Sequence, residues 1–119
     1  MWSPISLEEL AAEISASLNL MEERERLLWD LVRVKPMKWR QHPWGDLGGG
    51  FWVVGILGCR IIWYNDIEDG FNVSRYEEAG TIAEYWCNQD DLHHVIWKLR
   101  QQIESGSPIG LFGPSDEVG

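Results

Sequence analysis

Residues 51–74, FWVVGILGCRIIWYNDIEDGFNVS, decide the fold because they combine two apolar strands, a glycine turn and a cluster of carboxylates. Phe51–Leu57 and Arg60–Asn65 are predicted to pair as a hairpin, since both are short apolar runs rich in β-branched and aromatic residues. Gly58 and Cys59 fit a two-residue turn whose first position requires a positive φ. The chain therefore carries a strong signal for an antiparallel sheet near its middle.

Both faces of this hairpin are apolar. A regular register places Val54 opposite Trp63 and Ile56 opposite Ile61, and this face, which also holds Trp52, is expected to meet the helices. The opposite face is too apolar for full exposure, so we expect the C-terminal tail or a partner to cover it. Its residues are Val53, Gly55, Leu57, Arg60, Ile62 and Tyr64.

Helix signals precede the hairpin. Ser6 and Glu9 form a capping box that predicts a helix start directly after Ser6. A similar signature begins at Asn19, so residues 7–34 form either one long helix or two helices. Pro36 ends this stretch near residue 34 because proline cannot donate to the helical ladder.

Further elements surround the hairpin. Residues 37–42 alternate apolar and charged side chains, which predicts an edge strand, and residues 71–74 form a short returning strand. Thr81 and Ile82 are candidates to extend the sheet. Asn88 is predicted to cap a C-terminal helix. The buried stripe of that helix is predicted to be Leu92, Val95, Ile96, Leu99 and Ile103.

These signals predict one α+β domain over residues 1–104, followed by a tail rich in Gly, Pro and Ser over residues 105–119. Two N-terminal helices precede an antiparallel sheet of three to five strands, from about Met37 to Ile82. The C-terminal helix packs on one face of that sheet. The length of 119 residues suits one compact core.

Composition argues against several classes of function. A net charge of -9 and a pI near 4.6 oppose binding to nucleic acid and to anionic membranes. No stretch is long and apolar enough to span a membrane, and no secretory signal is evident. We therefore expect a cytoplasmic protein with reduced thiols.

Acidic residues concentrate in one part of the chain. Residues 66–91 hold eight Asp and Glu against a single Arg. Beside aromatic strands, this charge is typical of a surface that binds a basic protein partner. The predicted partner-binding residues are Tyr64, Asp66, Glu68, Asp69, Glu77 and Glu78.

Tryptophan supplies eight of the aromatic residues, which supports an alternative function. Exposed tryptophans can form a stacking platform for a carbohydrate or another small ligand. The predicted residues for this alternative are Trp44, Trp52, Trp63 and Trp86.

No spacing matches a strong catalytic or metal signature, so neither catalytic residues nor a cofactor is predicted. A calcium-loop alignment fails because Tyr76 falls where a bidentate Glu is required. His93 and His94 are neighbours on a helix, so their side chains should point about 100° apart and not share one metal easily. Cys59 and Cys87 are expected to be buried structural thiols.

The run WYNDIEDGFN, with the later EYWCNQDDL, resembles a pattern of small bacterial proteins without an assigned activity. This resemblance spans residues 50–100 and implies no catalytic residue. In size, acidity and mixed α and β content, the chain is also similar to bacterial immunity proteins, which neutralise toxins by binding them. That similarity implies an inhibitor whose acidic loop meets a basic partner. The apolar hairpin face also makes a homodimer an expectation.

Overall fold

The computed structural model describes residues 2–106, which contain three helices and one antiparallel sheet of four strands. The predicted α+β class is confirmed, with two N-terminal helices, a sheet and a C-terminal helix that contacts it. Most of the predicted tail lies outside the described residues. In chain order the elements are α1 (Leu7–Leu18), α2 (Glu23–Val32), β1 (Arg33–Trp39), β2 (Phe51–Leu57), β3 (Arg60–Asn65), β4 (Gly70–Arg75) and α3 (Leu92–Ser105).

The N-terminal helical stretch forms two helices. The capping box is confirmed, because the Ser6 hydroxyl accepts from the Glu9 amide at 3.0 Å and the Glu9 carboxylate accepts from the Ser6 amide at 2.9 Å. Asn19 is the C-cap of α1, so its predicted role as the N-cap of α2 is wrong. The chain turns through residues 19 and 20, and Glu22 precedes α2 without a side-chain cap.

Strand β1 begins four residues before the predicted start, immediately after α2 ends at Val32. Pro36 therefore lies within a strand. The sheet order β1-β2-β3-β4 places β1 at an edge, where the missing proline N–H does not interrupt a ladder of paired strands. The pairing with β2 is irregular between Arg33 and Met37, on either side of this proline.

The hairpin bounds are confirmed, but half of its predicted register is wrong. Ile56 pairs with Ile61 as expected, whereas Trp63 pairs with Val53 because a β-bulge lies between Val53 and Gly55. The extra residue shifts every pair beyond it by one position. A Cβ atom on Gly55 would lie 3.3 Å from the carbonyl oxygen of Val32. Glycine thus permits the end of α2 to approach the sheet.

The bulge redistributes side chains between the two faces. The helix-facing core contains Val54 and Trp52, as predicted, but it also contains Ile62 and Tyr64, which were predicted on the opposite face. The assignment of the two faces is therefore wrong for β3. Trp63 and Ile61 occupy the opposite face, where the Trp63 indole donates to Ser74 Oγ at 2.8 Å. Tyr76, Ile82 and Tyr85 cover this second face. A segment of the domain itself therefore supplies a cover that was expected from the tail or a partner.

Helix α3 completes the core. Its predicted stripe is confirmed at Leu92, Val95, Ile96 and Leu99, which are buried, but Ile103 is 55% exposed. Asp91, not Asn88, is the N-cap. Asn88 instead pairs with Asn72, donating from its amide and accepting at its carbonyl oxygen. These bonds hold the entry to α3 against strand β4.

Candidate functional site

A groove of about 720 Å³ opens where the N-terminal segment and α1 meet the turn between β3 and β4. Neither Lys nor Arg is among the described residues that line it. We call it the acidic groove. Its lining includes four carboxylates and two aromatic rings, from Glu9, Glu13, Asp66, Asp69, Trp2 and Tyr64.

Asp66 holds the N-terminal segment in place. Its carboxylate accepts a hydrogen bond from the Ile5 amide at 2.8 Å, and its carbonyl oxygen accepts one from the Trp2 indole at 2.9 Å. The capping box then starts α1 immediately after this anchor. Because Glu9 and Glu13 are four residues apart on α1, they lie on one helical face and both reach the groove.

The turn that carries the other carboxylates is also held internally. Asn65 Oδ1 accepts from the amides of Ile67 and Glu68 at 3.0 and 3.2 Å, and its amide group donates to the Trp86 carbonyl at 3.0 Å. Asp69 has a φ of 60°, a left-handed conformation that Asp tolerates better than most residues. These bonds hold the turn before any ligand arrives, which lowers the ordering cost of binding.

The negative charges converge on Tyr64. Burial, followed by the charges of Glu13, Asp69, Asp66 and Asp91, raises the pKa of Tyr64 to about 12. Its phenol is therefore neutral at physiological pH, which makes it unsuited to act as a base there. Burial also raises the pKa of Asp66, although the hydrogen bond from Ile5 opposes that rise. The site is thus a negatively charged groove that favours a cation, with Tyr64 and Asp66 buried and its other carboxylates exposed.

The structure brings together three of the predicted partner-binding residues. Tyr64, Asp66 and Asp69 line the acidic groove, with Tyr64 and Asp66 largely buried and Asp69 exposed. Glu68 is half-buried in the same turn. The remaining two predicted residues lie beyond the other end of β4, and the six residues of this strand separate that end from the groove by about 20 Å. Those exposed residues are Glu77 and Glu78.

Sequence reasoning missed three groove residues, Trp2, Glu9 and Glu13. The spacing of the two glutamates indicates a shared helical face. Nothing in the sequence indicates that this face lies beside the turn at Asp66, because residues more than fifty positions apart form the groove.

The four predicted ligand-binding tryptophans lie in different environments. Trp63 is fully buried, which removes it from any ligand platform. Trp52 and Trp86 are half-buried, and the Lys38 ammonium lies 5.2 Å from the Trp52 ring centre. Of these four described tryptophans, Trp44 alone is exposed, at 54%, and it stacks on Tyr85 with centroids 5.4 Å apart.

A second cluster of side chains with ligand atoms lies at the start of α3. Asp91, His93 and His94 each place one such atom within 4.8 Å of the others. The two imidazole rings are 4.2 Å apart between centroids, closer than their 100° separation around a helix suggests. Side-chain rotation accounts for this difference, because ring position depends on the rotamers as well as on the helical angle.

The cysteines differ from their predicted environment. Cys59 and Cys87 are both exposed, so the expectation of buried structural thiols is wrong. Cys59 lies in the hairpin turn and Cys87 in the segment before α3, and both segments lie at the surface as connections usually do.

Within residues 2–106, no helix has the length and apolar composition that crossing a membrane requires. Comparisons with protein-family models, with curated proteins and with solved structures found no match for this chain.

Proposed function

We propose that this protein is a binding module for a basic protein partner, and that the acidic groove takes a Lys or Arg side chain of that partner. The observation that carries this proposal is the convergence of four carboxylates and two aromatic rings on one groove. The proposal keeps the predicted immunity-like class of function but moves the contact surface. Glu9 and Glu13 replace Glu77 and Glu78 as the expected acidic contacts.

The chemistry of the groove suits a cation on a long side chain. Carboxylates make short, strong hydrogen bonds to ammonium and guanidinium groups. Trp2, which is 40% exposed, offers an aromatic face that attracts a cation through its quadrupole. The same groove disfavours anionic ligands, since its charges would repel them.

The experiment compares two charge reversals of equal size. One variant carries Glu13→Lys and Asp69→Lys within the groove, and the control carries Glu77→Lys and Glu78→Lys at the other end of β4. Both pairs change the net charge by the same amount. The probe is an array of peptides with a central Lys or Arg, repeated with acetyl-lysine or citrulline at that position.

We expect the native protein to bind a subset of the Lys or Arg peptides and not to bind their acetyl-lysine or citrulline analogues. Binding should also weaken at high salt. The groove reversal should abolish this binding, while the control should reduce it only slightly. Equal losses in the two variants would show that general charge attracts the peptides and would overturn the proposal. Absence of any charge-dependent peptide binding would also overturn it.

A second candidate function rests on Trp44, whose exposed ring stacks on Tyr85. An aromatic ring supported from one side is a common platform for a sugar or another flat ligand. Titration of a glycan panel against the native protein and Trp44→Ala tests it by fluorescence. A spectral response that Trp44→Ala removes would favour this function, and a panel without any response would reject it.

A further inference from the structure

We propose that Asp91, His93 and His94 bind a divalent transition metal ion of the Zn²⁺ type at the start of helix α3. This site is separate from the groove lining and is independent of the proposed partner. Two imidazoles and one carboxylate form a donor set that suits Zn²⁺ and its neighbours in the first transition row. Ca²⁺ and Mg²⁺ prefer sites made of oxygen ligands alone.

The distances require little rearrangement. Ligand atoms on one tetrahedral zinc ion lie roughly 3.3 Å apart, as follows from metal–nitrogen bonds of about 2.0 Å. The three ligand atoms here lie within 4.8 Å of one another. Since Asp91 and His94 are exposed and His93 is half-buried, side-chain rotation can close the remaining gap without moving the backbone.

His93 is already oriented by a second residue. Its Nδ1 atom lies 3.2 Å from the hydroxyl oxygen of Ser17, which is buried on α1. Metal-binding histidines usually have one ring nitrogen held in this way, which leaves the other nitrogen directed at the ion. Ser17 is therefore a positioning residue, and Nε2 is the atom of His93 that binds the metal.

Asp91 is available for a ligand role. It is the N-cap of α3, yet its side chain makes no capping hydrogen bond. An Asp at this position normally accepts from the amides of the first turn. The positive end of the helix dipole opposes a bound cation, and the negative charge of Asp91 offsets that effect.

The ion would retain an open position. Three protein ligands leave one site of a tetrahedral ion for water or a small molecule. Both histidines line a solvent-open cavity of about 250 Å³, from which a small molecule could reach this position. The cavity also includes Leu20, Met21, Glu22, Glu25 and Trp97.

The test is a calorimetric titration of the full chain with Zn²⁺ after treatment with a chelator. All proteins carry Cys59→Ser and Cys87→Ser, because exposed cysteines can bind zinc themselves. The variants are Asp91→Asn, His94→Asn and Ser17→Ala. His42→Asn is the matched control, since His42 is exposed and also lies beside a carboxylate, Asp46.

We expect one Zn²⁺ per chain with a micromolar or tighter dissociation constant. Ser17→Ala should weaken binding by about tenfold, as loss of an orienting hydrogen bond does elsewhere. His94→Asn and Asp91→Asn should weaken it more, and His42→Asn should leave it unchanged. Co²⁺ bound in place of Zn²⁺ should show the absorption bands of a tetrahedral site, and His94→Asn should remove them.

The proposal is overturned if the chain binds no Zn²⁺, or if His94→Asn and Asp91→Asn bind it as well as the parent does. It is also overturned if His42→Asn causes the same loss. Circular dichroism of the metal-free variants confirms their folding. Should Asp91→Asn impair the start of α3, His94→Asn decides the result alone, because its side chain is exposed and caps nothing.

Discussion

The two ends of strand β4 carry similar acidic residues in different surroundings. At one end, Asp66 and Asp69 meet two glutamates of α1 beneath the anchored N-terminal segment. At the other end, Glu77 and Glu78 are exposed, and Glu77 shares a small cavity with Arg75. The difference shows that acidic residues form one electrostatic site only where separate segments of the chain bring them together.

The comparison depends first on the packing of α1. Leu10→Ala should destabilise the fold by about 2 to 5 kcal/mol, because Leu10 is fully buried in the core beneath the helices. Leu7→Ala, on the same helix but 48% exposed, should cost far less. Urea denaturation measures both changes. Equal costs would mean that burial of Leu10 does not hold α1 over the groove.

Asp66→Ala should be the next largest effect. The Ile5 amide loses its acceptor, which should lower the free energy of unfolding by about 1 to 3 kcal/mol. Glu77→Ala at the other end of β4 should change it by less than about 0.5 kcal/mol, since that side chain is exposed. Chemical denaturation of the two variants tests the contrast. A cost for Glu77→Ala that matches that of Asp66→Ala would contradict it.

Asp66→Asn keeps an acceptor for Ile5 but removes the charge. The pKa of Asp66 is raised above 3.8, mainly by burial, so the folded state binds that proton more tightly than the unfolded state. This contribution to stability is full below the unfolded pKa and is lost as pH rises through the folded pKa. Asp66→Asn should therefore gain stability relative to the native protein as the pH rises from below 3.8 towards neutrality. If the difference in stability between Asp66→Asn and the native protein stayed constant across that range, the pKa of Asp66 would not be raised in the folded state.

The smallest effect concerns the ionisation of Tyr64. Glu13→Gln with Asp69→Asn should lower its pKa from about 12, though not to 10, because burial is the largest cause of the shift. Tyrosinate absorbance, compared with the Tyr64→Phe protein, measures this change. Glu77→Gln with Glu78→Gln should leave the Tyr64 titration unaltered. An equal shift in both pairs would mean that the field is not specific to the groove.

Local signals in the sequence predicted much of the secondary structure. The capping box at Ser6, the hairpin bounds and the turn at Gly58 are each specified by neighbouring residues, and each agrees with the structure. The apolar stripe of α3 is correct except at Ile103. Side chains a few residues apart determine these features through backbone geometry and periodicity.

Predictions that depended on long-range packing were less successful. Gly55 within β2 is a residue that often marks a bulge, but both faces of the strand are apolar, so its sequence did not indicate that the faces of several residues would reverse. Pro36 was predicted to follow a helix and lie before a strand, but it lies within β1 because that strand is at the sheet edge. The location of an edge depends on the whole sheet.

The candidate site shows the same contrast between features set by neighbouring residues and features set by long-range packing. The sequence by itself determined that acidic residues would follow the aromatic strands and that Glu9 and Glu13 would share one helical face. Only the tertiary structure decided that this face meets Asp66 and that Ser17 meets His93 across 76 positions of the chain. Spacing along the sequence indicates which side chains are neighbours within one or two helical turns. A groove or a ligand cluster depends instead on how whole helices and strands pack against one another.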